Sequence, residues 1–245
     1  MKKKIILFII LSILLLSVIA ACFFQFNPYG YRMTVPYRYS FEEIADNIYI
    51  NTDNAENKEE IIELIDSAKE RDRVFFGELQ CVNDTIIIIC DNDRLLSKLG
   101  GDHDTFTSAF PFKKNYISIS DEYLDIEIMA HELTHAEFHS RLSLSALKEI
   151  PSWFDEGLAL QNDYREQYGL EAWIEQTDNG KNTVALEDMD EPSEFYAGTA
   201  DDRRFRYLNA KHEVSEWMEI HKRHGLLELF DKLNNGEDFN TAYNK

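Results

Sequence analysis

Basic residues are scarce in this chain. Lysine and arginine number 25 against 45 aspartates and glutamates, a formal net charge of −20. So acidic a surface repels nucleic acid and anionic lipid headgroups, and no nucleic-acid partner is expected. Cysteine is scarcer still, at three. Beyond the N-terminal segment only Cys81 and Cys90 remain. A turn at Asn83-Asp84, between strands over 73–81 and 85–91, would set Cys81 opposite Ile86 and Cys90 opposite Gly77. That register leaves the two thiols unbridged, as small core residues. Fixed-period repeats and low-complexity tracts are also missing, which argues against a solenoid or a disordered chain. What is present is apolar material: 44% of the residues are hydrophobic and 13% aromatic, enough for a folded unit with a core.

The first segment differs in kind. Lys2, Lys3 and Lys4 precede Ile5 to Phe24, an uncharged run broken only by Ser12 and Ser17. A basic start before an apolar run reads as a secretion signal, and the run is also long enough to cross a bilayer. The lysines keep their end in the cytoplasm, so the rest is expected on the extracytoplasmic face. Two modes of attachment fit. Ile19-Ala20-Ala21-Cys22 resembles a bacterial lipobox, which would leave Cys22 as a lipid-bearing first residue. An uncleaved single-pass anchor is the alternative. The chain thus divides into a signal or anchor (1–26), a linker and N-terminal extension (27–57) and a folded domain (58–245). Residues 27–40 hold Pro28, Gly30, Pro36 and four tyrosines and read as the linker.

Within the domain, Lys58 to Arg71 carries apolar residues at helical spacing. Val74 to Leu79 and Thr85 to Cys90 read as strands. Ile86 to Ile89, β-branched throughout, is expected to be buried on both faces. A short capped helix follows to Leu99. Tyr116 to Ser120 alternates as another strand, placed as an edge that could take an extended peptide. A long helix is expected from Ser120 or Asp121 to about Leu142. After Pro151 the pattern is helical: 151–163, 203–223 and 226–234. Strands with interspersed helices followed by helices alone predict an α+β fold.

The long helix contains His131-Glu132-Leu133-Thr134-His135. Residues four apart share a helix face, so both imidazoles can reach one cation. Zinc accepts neutral imidazole nitrogen and keeps one position open for water in catalytic sites. Glu132, next to the first ligand, is placed to take a proton from that water. On its own the motif fixes three positions and also arises by chance on solvated helices. A histidine six residues past His135 would make a metzincin, but position 141 is arginine. His139 lies a further turn along and reads as surface or as support behind the ligands. The better third ligand is Glu156, in Pro151-Ser152-Trp153-Phe154-Asp155-Glu156-Gly157-Leu158-Ala159. Twenty residues after His135 allow the first helix to end, a loop to turn at Pro151, and a second helix to return alongside. Gly157 would let helices approach closely, with Trp153 and Phe154 packed beneath.

HExxH followed by W-F-x-E-G-x-A resembles the gluzincin metallopeptidases. The likeness is to the branch related to thermolysin-clan aminopeptidases and the small peptidase MA-like proteins, over roughly residues 85–243. It implies a zincin-like α+β fold and one Zn2+ per chain on His131, His135 and Glu156. It also implies Glu132 as general base and a peptide or protein substrate. The chain departs from the pattern in three places. Asp155 stands where the aminopeptidases have asparagine. Leu160 stands where a thermolysin-like aspartate would orient a zinc histidine, leaving Asp155 or Asp163 for that part. The aminopeptidase G-x-M-x-N motif is absent, so that activity is not carried over. In the resembling families a later tyrosine often steadies the oxyanion. Tyr207 is the first candidate here and His212 the second, although Tyr207, Ala210, Val214 and Trp217 also form an apolar stripe. A zinc-binding surface module without turnover is the alternative reading.

Overall fold

The structure is a computed structural model that describes residues 2–51, 57–81, 84–101, 105–109 and 115–244. Helix α1 (Lys2–Phe26) is followed at once by α2 (Pro28–Thr34) and a 3-10 turn, Val35–Tyr37. Strands β1 (Glu42–Ala45) and β2 (Ile48–Asn51) come next, then α3 (Lys58–Phe76), β3 (Ile86–Cys90), α4 (Asp93–Lys98), β4 (Thr105–Ala109) and β5 (Asn115–Ser120). The remainder is helical: α5 (Ile126–Arg141), α6 (Leu144–Leu147), α7 (Ser152–Ala159), α8 (Leu170–Gln176), α9 (Pro192–Phe195), α10 (Ala200–Asn234) and α11 (Phe239–Tyr243). The fold is α+β, a small mixed sheet in the N-terminal part and helices after it.

The strand order is β1-β2-β3-β5-β4. The β2–β3 and β3–β5 pairs are parallel, and the two outer pairs are antiparallel. Strand β3 is central and covered on both faces, as its unbroken isoleucines require. Ile87 and Ile89 join Ile117, Ile119 and the buried faces of α3 and α5. Ile86, Ile88 and Cys90 join Tyr31, Val35, Leu96 and Leu99 on the other face. A third cluster, built on Phe138, Trp153, Phe154, Val214, Trp217 and Phe230, fills the helical half. Each such side chain contributes about 1.5–3 kcal/mol on burial.

Several expectations are corrected. Val74 to Leu79 is not a strand. Ile61, Ile65, Ala68, Asp72 and Phe76 form one buried helical stripe, so α3 runs through Phe76 and stops at Gly77, whose φ of 87° suits glycine. Among the described residues β3 therefore pairs with β2 and β5, not with a preceding hairpin strand; Asn83 of the expected turn lies outside them. Cys81 and Cys90 are free thiols, as read. Their pKa values are pushed up to about 11 and about 12, chiefly by burial. Tyr116 to Ser120 lies inside the sheet, hydrogen-bonded to β3 on one side and β4 on the other; the outer strand on that side is β4. Residues 27–57, read as linker and extension, contribute α2, β1 and β2, and Tyr31, Arg32 and Val35 are buried. Helix α5 begins at Ile126 because the Asp125 side chain accepts from the Ile128 amide.

Candidate metal centre

Helix α5 faces three ways. Met129, Ala130, Leu133 and Ala136 pack on the sheet, Phe138 packs into the helical cluster, and His131 and His135 are left on the side facing α7. Helix α7 starts at Ser152, where the amide donates to the Asp190 carbonyl, and buries Trp153 and Phe154. It can lie close to α10 because residue 157 is glycine. A Cβ there would stand 2.5 Å from the Ala210 carbonyl oxygen and 2.7 Å from a Val214 methyl. That packing presents Glu156, one turn into α7, to the two histidines.

Three donor atoms converge. His131 Nε2 and His135 Nε2 are 3.1 Å apart, and Glu156 Oε2 lies 3.2 Å from the first and 3.4 Å from the second. Ligands on a tetrahedral ion with bonds of about 2.05 Å are separated by about 3.3 Å. Glu156 Oε2 is buried and accepts no hydrogen bond despite its two approaches, and the two Nε2 atoms lie within hydrogen-bond distance of each other, so the three donor atoms crowd one point. The residues fit a metal ion, and His131, His135 and Glu156 can hold one.

The surroundings orient the donors. Asp155, one residue before the ligand glutamate, lies 2.7 Å from His135 Nδ1 and 2.9 Å from His139 Nε2. An Nδ1–H donating to that carboxylate turns His135 Nε2 toward His131 and Glu156. Of Asp155 and Asp163, Asp155 is thus the carboxylate bonded to His135, and His139 stands behind it. Asp163, the other candidate, is 3.9 Å from His131 Nδ1 and is ion-paired with Arg165. The Glu156 carboxylate divides its oxygens: Oε2 faces the histidines and Oε1 accepts from the Tyr196 hydroxyl.

Electrostatics favour positive charge at this point. Burial works against a charged His135 ring, but Asp155 and Glu156 outweigh it and hold its pKa well above the ordinary value. Burial opposes ionisation of Asp155 too. His139 and His135 overcome it and keep the carboxyl well below the usual range. Glu156 is brought down to about 2 by His135 and His131, again against burial.

Glu132 is buried on α5 directly after His131. Tyr207 sits in an aromatic group, its ring centroid 5.0 Å from Phe195 and 6.5 Å from Tyr196. His212 lies flat on Trp173 at 3.5 Å. Tyr196 was not foreseen. It lies two residues past the acidic stretch 187–194, which packs on α7 through Asp190 bonds to Trp153 Nε1 and the Ser152 amide. No spacing signal links position 196 to position 156, so only the packing reveals it.

Compared with known proteins, the chain matches no family model and finds no similar sequence among curated proteins.

Proposed function

We propose that this protein is a membrane-tethered, extracytoplasmic zinc metallopeptidase of the gluzincin type. The observation that carries the reading is the convergence of His131 Nε2, His135 Nε2 and Glu156 Oε2 at 3.1–3.4 Å. Two imidazoles, the His135 ring giving up its proton in exchange for the ion, and one carboxylate form a donor set suited to zinc. A zinc ion held there would supply Lewis-acid activation of a water and of the scissile carbonyl.

The chain's own groups do the rest. Glu132 takes the proton from the attacking water and passes it to the leaving amine. Asp155 keeps the His135 ring turned toward the centre, and Tyr196 keeps Glu156 turned the same way. Tyr207, beside Tyr196, serves as donor to the developing oxyanion. His212 is given no part, since its ring is stacked on Trp173. An extended peptide would pair with β4, the outer strand beside β5, which packs near α5.

Metal content of the full chain in detergent is the deciding experiment. About one zinc per chain is expected, lost in His135→Ala. Glu132→Gln should retain the metal and lose about 10²–10⁴ in turnover of a peptide library. Metal without turnover in the unaltered protein would leave a zinc-binding surface module. No metal after reconstitution would end the enzyme reading.

A further inference from the structure

The apolar helix does not hang from the domain by a flexible link. Lys4–Phe26 is long and apolar enough to cross a membrane. Asn27 follows directly and caps α2 through its side chain, which accepts from the amides of Tyr29 and Gly30. Gly30 packs so tightly on the end of α1 that a Cβ would meet the Phe23 carbonyl oxygen at 2.4 Å. Arg38 closes the joint. Its guanidinium donates to Phe24 O at 2.7 Å and to Thr34 Oγ1 at 2.7 Å, and lies over the Tyr31 ring at 3.7 Å. Tyr31 and Val35 are in turn buried against β3 and β5. The end of the span is thus joined to the sheet through packed side chains.

That joint displays a band of apolar rings. Phe26 is 79% exposed, Tyr37 is 84% exposed and Tyr39 is fully exposed, with Phe23, Phe24, Tyr29 and Met33 partly so. The band has a further property. In a chain with 45 acidic residues, none occurs before Glu42. Tyrosine and phenylalanine are the side chains that favour the boundary between hydrocarbon and headgroups. Twenty helical residues span about 30 Å, the thickness of the hydrocarbon core, so a run starting at Ile5 reaches that boundary near Phe24.

We propose that residues 23–41 form a collar seated in the interfacial layer of the bilayer, so that the domain lies on the membrane instead of swinging from a tether. The contact is aromatic. The domain is acidic and the collar's arginines are engaged, Arg32 being buried and Arg38 bonded within the joint. The seating therefore does not depend on anionic lipid. The inference rests on the membrane-tethered reading of the N-terminal helix, with the span retained.

The test is photocrosslinking of the full chain in phosphatidylcholine vesicles, with Tyr37→p-benzoylphenylalanine and Tyr39→p-benzoylphenylalanine. Ile220→p-benzoylphenylalanine, an exposed position on α10, gives the background. Lipid adducts several-fold above that background at both collar positions are expected, unchanged by added phosphatidylglycerol or by salt. Adducts at background level in chains that float with the vesicles overturn the proposal, and chains that do not float overturn the membrane reading beneath it. Adducts that appear only with phosphatidylglycerol overturn it too, since the contact would then be electrostatic.

Discussion

Asp155 contacts two histidine rings at once, and in the proposed site it would set how well His135 serves a cation. Carboxylates behind ligating histidines change metal affinity by about 10–100-fold when removed. Asp155→Asn keeps the shape but loses the ionised acceptor, and a loss of that size in zinc affinity by competition with a chelator is expected. Tyr196→Phe strips the donor from Glu156 Oε1 and should weaken metal binding in the same direction. Tyr207→Phe should leave affinity unchanged and lower kcat. Gly157 is a packing matter. With the Ala210 backbone 2.5 Å from the added carbon, Gly157→Ala forces α7 and α10 apart and should cost about 1–3 kcal/mol in urea unfolding.

The link between α3 and α5 is a buried polar group rather than apolar contact alone. Asp72 on α3 accepts from Thr134 Oγ1 at 2.8 Å and from Asn162 Nδ2 at 2.7 Å, while its second oxygen has no partner. Burial raises its pKa to about 7; the Glu137 charge adds to the effect, and Thr134, Asn162 and Arg141 oppose it. The sign follows from linkage. The folded form holds this proton more tightly than the unfolded chain, whose aspartate titrates near 3.9. The contribution is complete below about pH 4 and is lost as pH rises toward 7, at up to about 1.4 kcal/mol per pH unit. Asp72→Asn, neutral at every pH like the protonated aspartate, should therefore flatten the change in stability between pH 5 and pH 7, seen as urea midpoints that separate at the higher pH with the variant the more stable. A parallel pair of curves would show that Asp72 does not titrate in that window.

For the molecule as a whole, the consequence of the rigid joint is orientation. Arg38 is partly exposed, so Arg38→Ala should change global stability by less than about 1 kcal/mol. Its effect should instead be local. Hydrogen exchange of the amides from Phe23 to Tyr31 is expected to speed up while the sheet is unaffected. A metal centre on a domain laid against a bilayer would meet substrates near the membrane rather than in bulk solution.

Local pattern carried much of this from the start. The four-residue spacing of His131 and His135, the glutamate at 156 and the continuous isoleucines of β3 each record a periodicity that the chain imposes on itself. So does the apolar run behind three lysines. Contacts between distant segments left no such record. The helix through Phe76 reads as a strand in the sequence because aromatic and β-branched residues at a helix end resemble one until burial shows their three- and four-residue stripe. The interior position of β5 depends on β4, whose pairing is tertiary. Tyr196 meets Glu156 across forty residues of chain, and Arg38 meets the end of α1 only because α2 folds back on it. Sequence alone determined which chemistry was available, because ligand type and helical spacing are local properties. Tertiary structure decided which carboxylate orients His135, which phenol holds Glu156 and whether the anchor is loose or fixed, because each depends on packing between segments far apart in the chain.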